Sequence, residues 1–366
     1  MEQSVHFWNQ LRQTKQPFFC VAPMADVTDA AFRRLIAKYS RHGKVGGGPD
    51  VIWTEFVSAN GLMSKGREIL ARDLVYSEIE RPIVAQLFSS DPETMQGAAK
   101  LCAELGFDGV DINMGCPDKT IEKQGAGAMM IQTPEKAVAV IAAAKRGIVL
   151  AGSSIPVSVK TRVGYGNVQM EWIEILLSQD IAALTVHART RKELSLVPAD
   201  WSRIKAVVTL RDRIAPQTVI IGNGDVISID DGIQKAQMSG CNGVMVGRAL
   251  FGNPWFFDQS RQITASLPQK PLLQKLPLIG KYFETRRTAA DSAVQPITTK
   301  ERLMVMAEHA KLFEELLGDI KNFAIMKKHF KAYCTGFHGA KELRIKLMET
   351  KHADEVEEII STFLLQ

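Results

Sequence analysis

TVIIGNGDVISIDDGIQKAQMSGCNGVMVGR, residues 218–248, holds two short apolar runs, TVIIGNGD and GVMVGR, around a helix-like stretch. Neither run alternates polar and apolar residues as a one-sided sheet does. Each reads as a strand buried on both faces, which is how parallel strands lie. The same unit recurs upstream: FFCVAPM (18–24), VIWTEF (51–56), IVAQLF (83–88), GVDINMG (109–115), PVSVKTR (156–162) and ALTVHAR (183–189). Helix-like stretches separate the runs, among them Asp29–Tyr39, Glu93–Leu105, Pro134–Arg146 and Trp201–Leu210. Asp91-Pro92 and Thr133-Pro134 each pair an N-cap with proline at the first helical position. Eight such strands alternating with helices over roughly 250 residues predict an α/β fold, a (β/α)8 TIM barrel. A doubly wound open sheet is the rival. No GxGxxG follows the first strand and no GxxxxGK[ST] occurs, which speaks against dinucleotide-fold and P-loop readings.

The chain has 366 residues, 46% of them hydrophobic, too long for one small domain. The barrel is expected over residues 1–257. Residues 258–299, rich in Pro and basic side chains and without clear periodicity, read as a linker or insertion. Residues 300–366 return to helical spacing, with Phe323, Met326, Phe330 and Tyr333 in one stripe, and predict a C-terminal all-α helical domain. The five cysteines lie far apart and form no CxxC pair, so neither a metal site nor a disulfide framework is expected, and a reducing compartment suits them. The amino end lacks a cationic start followed by an apolar core, and no run approaches the ~18 apolar residues of a membrane span. A soluble, cytoplasmic monomer is expected. The net charge of +5 is mild, but its distribution is not even. Lys321, Lys327, Lys328, Lys331, Lys341, Arg344 and Lys346 stand against Glu342 alone in residues 321–346. Such a stripe is commonly a solvated face; with an equally basic linker before it, an RNA-binding face is the sharper reading.

Gln86, Asn113, Lys160, His187, Arg189, Asn223, Asp225 and Arg248 all fall at the carboxyl ends of expected strands. In a barrel those ends face one mouth, where active sites form. Asn223-Gly224-Asp225 and Gly247-Arg248 follow the seventh and eighth strands, the usual place for a phosphate. Either piece alone is an ordinary turn. Together they suit a phosphorylated cofactor such as FMN, with glycine N–H groups and a guanidinium around the oxygens. Lys160 is costly to bury unless paired or used. It is either the partner of a barrel carboxylate such as Glu55 or Asp111, or a cation beside a flavin's pyrimidine edge. Gln86 can donate and accept at that edge, or serve as a structural amide. His187 and Arg189 point the same way along their strand and can grip a phosphate or a polar substrate. Cys116 stands between Gly115 and Pro117 in the loop after the fourth strand, ahead of a GAGAMM segment that offers tight turns. Most cysteines are small hydrophobes. One at the mouth can be nucleophile, metal ligand or acid, and no metal-ligand spacing surrounds it.

With these residues assembled, the sequence resembles the tRNA-dihydrouridine synthase family. The resemblance rests on APMADVTDAAFR (22–33), TEFVSANGL (54–62), AQLF (85–88), DINMGCP (111–117) with GAGAMM (125–130), VKTRVG (159–164), VHART (186–190) with ADW (199–201), NGDV (223–226) and VMVGRALFGNPW (244–255). MKKHFKAYCTGFHGAKELR (326–344) is similar to that family's helical tRNA-binding part. The resemblance implies FMN contacts at Pro23, Met24 and Ala25, then Gln86 and Lys160 on the pyrimidine edge. It implies His187, Asn223, Gly224, Asp225, Gly247 and Arg248 along the ribityl phosphate. Asn113 and Arg189 would face the substrate base, Cys116 would donate the proton, and Lys327, Lys328 and Arg344 would meet tRNA. NADPH or NADH would be the transient reductant. Two alternatives stand beside it: an FMN barrel acting on a free pyrimidine or an enone, and a barrel that binds RNA without redox use.

Overall fold

The computed structural model describes residues 6–262 and 295–365. The eight apolar runs become eight strands: β1 Phe18–Val21, β2 Ile52–Ser58, β3 Ile83–Phe88, β4 Gly109–Met114, β5 Val157–Arg162, β6 Ala183–His187, β7 Val219–Asn223 and β8 Gly243–Val246. Each neighbour pair is parallel, and β8 pairs with β1. The sheet closes at β1 and β2, where Cys20 bridges Val51 and Val21 N donates to Val51 O at 3.1 Å. Helices fill the crossovers, so the fold is the expected (β/α)8 barrel.

Alternation along the strands sorts the two sides of the barrel wall. Phe19 and Val21 pack outward among the helices. Phe18, Cys20 and Ala22 turn inward and meet Trp53, Val84, Ile221 and Met245 in the barrel interior. Trp8, from the helix Phe7–Arg12, plugs the amino-end opening, its ring 5.8 Å from Trp53 and 6.1 Å from Phe18. The sequence reading held no role for this helix. Higher in the barrel the inward positions turn polar: Gln86, Asp111, Asn113, Ser158 and Lys160. That shift carries the interior from core to site.

The helices start where their caps require. Asp29 accepts from Phe32 N at the head of Ala30–Tyr39, and Asp91 from Glu93 N at the head of Pro92–Glu104. Two helices outrun the expected ends. Pro134–Leu150 continues past Arg146, and Ser202–Ile214 past Leu210 because Arg211 turns inward to Thr218 O and Asn242 Oδ1.

Helices Thr299–Leu317, Met326–Tyr333, Ala340–Leu347 and Ala353–Leu364 form the expected helical C-terminal region, begun by a capping box of Thr298 and Glu301. It has its own core, in which Leu303, Met306, Phe313, Phe330, Leu343 and Val356 pack with Ala31, Leu35 and Trp255 of the barrel part. Of the expected stripe, Met326, Phe330 and Tyr333 are buried and Phe323 sits at the edge. Most of the expected linker, residues 263–294, lies outside the described residues. Its described ends, Arg261–Gln262 and Gln295–Pro296, pair as two short parallel strands. Among the described residues no helix is long and apolar enough to cross a membrane.

Candidate active site

At the carboxyl ends of β5 to β8 the barrel opens into a cavity of about 630 Å³. Nine of the expected cofactor residues line it: Pro23, Met24, Lys160, His187, Asn223, Gly224, Asp225, Gly247 and Arg248, joined by Arg189. Register makes this convergence. Arg162 stands beside His187, His187 beside Asn223, and Asn223 beside Met245 across successive strands.

Asp225, at φ 50°, organises the cationic side. Its carboxylate accepts from both Arg189 and Arg248, and from Ala199 N at 2.9 Å, which holds it below the ordinary carboxylate range despite partial burial. Gly224 precedes it at φ +128°, and a Cβ there would stand 2.7 Å from Ala199 Cβ and 3.2 Å from His187 Cδ2. Trp201 Nε1 donates to Gly224 O at 2.9 Å and locks the turn from behind. Among the described residues the backbone N–H groups of Gly224, Asp225, Gly247 and Arg248 meet no protein acceptor. Burial, helped by Arg162, Lys160, Arg189 and Arg248, pushes His187 well below its ordinary value, so at neutral pH the ring is uncharged. Lys160 Nζ lies 3.4 Å from Asn223 Oδ1, and burial with Arg162 nearby lowers it to about 8. The cavity therefore offers an anion several cations and unpaired N–H donors.

Beside it runs a hydrogen-bonded polar layer. Gln86 is buried, giving Nε2 to Asp111 at 2.7 Å and accepting from Asn113 Nδ2 at 3.0 Å. Asp111 also accepts from Ser158 Oγ at 2.6 Å, and burial raises it to about 6. Gln86 thus sits behind the cavity lining, and Ala25 beyond it on the exposed rim. Glu55 partners Lys321 at 2.6 Å instead of Lys160. Lys321 also meets Asp73 at 2.8 Å, so it is spent on the barrel rather than free on a basic face. Lys327, Lys328 and Arg344 are half-exposed on the helical region, with Lys328 4.0 Å from Asp26.

Asn113 Oδ1 accepts from Gly115 N (3.1 Å) and Cys116 N (2.9 Å), so this side chain shapes the cysteine loop. On the other side Ala128 N donates to Cys116 O at 2.9 Å. Gly127, at φ +62°, allows that approach, because a Cβ would stand 2.7 Å from Cys116 O. The GAGAMM segment does close over the cysteine. Cys116 is half-buried beside Phe56, Phe88 and Ile121, outside the cavity lining. Burial raises its thiol, against a lowering from Lys160 and Arg162, so the sulfur keeps its proton at neutral pH. The other four cysteines are buried.

Sequence reasoning missed Arg162. It is buried, and it spends its fork on Gly115 O (2.8 Å), Thr190 O (3.2 Å) and Leu194 O (3.3 Å). The signal was present: Arg162 follows Lys160 by two residues and so points the same way, as Arg189 follows His187. Among the described residues no cluster of three or more His, Cys, Asp or Glu could hold a metal.

The architecture and the cavity define a (β/α)8 barrel protein with a cationic pocket for an anionic ligand at its carboxyl-end mouth. Residues 20–365 match the family model described as Dihydrouridine synthase (Dus), and the chain belongs to that family. A probable tRNA-dihydrouridine synthase of Staphylococcus epidermidis is 35% identical over 362 residues, 98% of this chain and 96% of that one. Probable tRNA-dihydrouridine synthase 2 of Bacillus subtilis is likewise 35% identical over 362 residues, with the same coverage. Among solved structures, histamine dehydrogenase from Rhizobium sp. 4-9 matches 65% of this chain and 44% of its own at 13% identity, with a TM-score of 0.47.

Proposed function

We propose that the protein reduces the C5=C6 bond of uridines in tRNA to dihydrouridine, with FMN in the barrel mouth and NADPH or NADH as the source of reducing equivalents. The observation that carries this reading is the cavity at the ends of β5 to β8. Its volume lies within the roughly 300–1,000 Å³ of small-molecule sites. Its unpaired N–H groups at Gly224, Asp225, Gly247 and Arg248 match a phosphate, and a Cβ at Gly224 would fill the cradle. The residues present fit the group. Arg248 and the two glycine turns would hold the phosphate, and neutral His187 and Asn223 the polar chain above it. Pro23 and Met24 would back the ring. Lys160 would balance negative charge on the ring edge, with Gln86 behind it and Ala25 at the rim completing the expected set.

A reduced flavin, when bound, supplies the hydride that uracil C6 accepts. C6 is electrophilic because the C5=C6 bond is conjugated to the C4 carbonyl, so enolate character builds at C5. C5 needs a proton, and Cys116 Sγ holds one. Its raised thiol keeps that proton at neutral pH. The cations Lys160 and Arg162 beside it favour the thiolate left after transfer. Asn113 fixes the cysteine loop, and Arg189, bonded to Asp225, Val197 O and His187, would meet the base through the N–H groups those bonds leave free. A uridine inside folded RNA must be extruded to reach this mouth. Lys327, Lys328 and Arg344 on the helical region would meet the phosphate backbone.

The test is nucleoside mass spectrometry of a uridine-containing tRNA transcript incubated with the protein, FMN and NADPH. Dihydrouridine is expected on tRNA and not on free uridine. Cys116→Ala should keep bound flavin yet lose at least about a hundredfold in turnover. Wild-type rates in that variant would reject the cysteine's role; turnover on free uridine alone would reject tRNA as substrate.

A further inference from the structure

The loop carrying Cys116 is held from outside by a residue that the mechanism above leaves unused. Arg191 belongs to the segment after β6, and its main chain is stitched to the loop after β5. Arg191 N donates to Gly164 O and Lys192 N to Tyr165 O, both at 2.9 Å. From that platform the guanidinium crosses to Glu122 on the short helix Lys119–Lys123. Nε donates to Oε1 at 2.7 Å, and Nη2 donates to Oε2. The same Nη2 lies 3.5 Å from Pro117 O, the carbonyl next to Cys116, and the guanidinium lies over the Tyr165 ring at 5.5 Å. Isolated surface pairs contribute little. This one is bidentate and sheltered, its side chains 22% and 10% exposed, and bidentate forks fix geometry as well as adding energy.

We propose that Arg191, acting through Glu122, is a positioning residue that sets where Cys116 Sγ stands in the barrel mouth. The inference rests on the reading of Cys116 as the proton source. Only Pro117 and Asp118 separate the cysteine from the clamped helix, and Asp118 is that helix's N-cap, accepting from Thr120 N and Ile121 N. The cysteine's main chain, held also by Asn113 and Ala128, is thereby coupled to Glu122 across two residues. Proton transfer demands hydrogen-bond reach, and a shift of about 1 Å can cost about a hundredfold.

The test compares Arg191→Met, Arg191→Lys, Glu122→Gln and the exchanged pair R191E/E122R in the full-length protein. Iodoacetamide labelling of Cys116 is followed by mass spectrometry, with the four buried cysteines as internal reference. Arg191→Met and Glu122→Gln should label Cys116 at least about threefold faster, since access governs thiol reactivity. In both, kcat on tRNA should fall about tenfold while KM stays within about twofold. Arg191→Lys, which keeps the charge but loses the fork, should fall between, and the exchanged pair should recover part of both readings. Should Arg191→Met fail to fold, Arg191→Lys and Glu122→Gln carry the same readings. Unchanged Cys116 labelling in the folded variants overturns the inference. Wild-type turnover in Cys116→Ala would instead defeat the reading of the cysteine, and the labelling result would still stand.

Discussion

Lys160 faces inward at the fourth position of β5, half-buried at the cavity wall, and among the described residues no carboxylate touches it. Among the described residues its one side-chain hydrogen bond goes to the amide oxygen of Asn223. Burial and the neighbouring Arg162 lower it to about 8 from an ordinary value of 10.5. The sign follows. Between these two values the unfolded chain binds the proton more tightly, so Lys160 costs stability that is regained as pH rises through this window. An anionic ligand reverses the local balance, because binding it favours the protonated amine. FMN affinity should therefore weaken as pH climbs past about 8, by up to about tenfold per pH unit for one linked proton. Titrating FMN fluorescence between pH 7 and 9 measures it. Lys160→Met should bind more weakly at pH 7 and show a flat profile; an unchanged slope in that variant would assign the effect to another group.

The loops after β6, β7 and β8 act as one element, because Asp225 ties Arg189, Ala199 and Arg248 together. Gly224 is the position at which that element tolerates no side chain. An alanine there combines a positive φ with a 2.7 Å approach to Ala199 Cβ. Gly224→Ala should cost roughly 1–3 kcal/mol in loop strain, and FMN affinity should fall about two- to tenfold if half of that strain is relieved by moving the cradle. Gly152→Ala is the control, since it too has a positive φ but meets nothing within 4 Å and lies far from the mouth. It should lower Tm without touching FMN affinity. Much of this element was legible beforehand. An apolar run that ends in a polar residue and a glycine marks a strand's carboxyl end, and eight such ends share a mouth. What could not be read was which polar atoms bond to each other. Gln86 and Asn113 have the same exposed-looking position in sequence as His187 and Asn223, yet their amides bond to one another and stay outside the cavity lining. Nothing local marks that difference; it follows from β3 and β4 standing side by side.

At the scale of the whole molecule, the helical region is fastened to the barrel by two devices that read differently in sequence than in space. Lys321 looked like one more cation on a basic face, and in the fold it reaches Glu55 and Asp73 of the barrel. His309 and His329 drew no attention, being far apart in a helical pattern, yet their rings meet edge to face at 4.5 Å. Phe32 and Phe251 of the barrel part close around them, and among the described residues none of their four ring nitrogens has a partner. Both rings are fully buried, and burial lowers both, His309 to about 3. They are held neutral where unfolded histidines titrate near 6.5. Below 6.5 the unfolded chain takes up protons that the folded one refuses, so the stability present above that pH is lost as pH falls toward about 3. Each ring should cost about 1.4 kcal/mol per pH unit once well below 6.5. Urea unfolding at pH 7.0 and 5.0, run on the wild type and on His309→Leu, reads the effect against the background of titrating carboxylates. The wild type should lose more stability between the two pH values than the variant does, by about 2 kcal/mol. The loss should begin where the helical region meets the barrel, as faster amide exchange in Thr299–Leu317 and Met326–Tyr333 than in β4 and β5. An equal loss in both proteins would mean that the interface opens to water before His309 is asked to carry a charge.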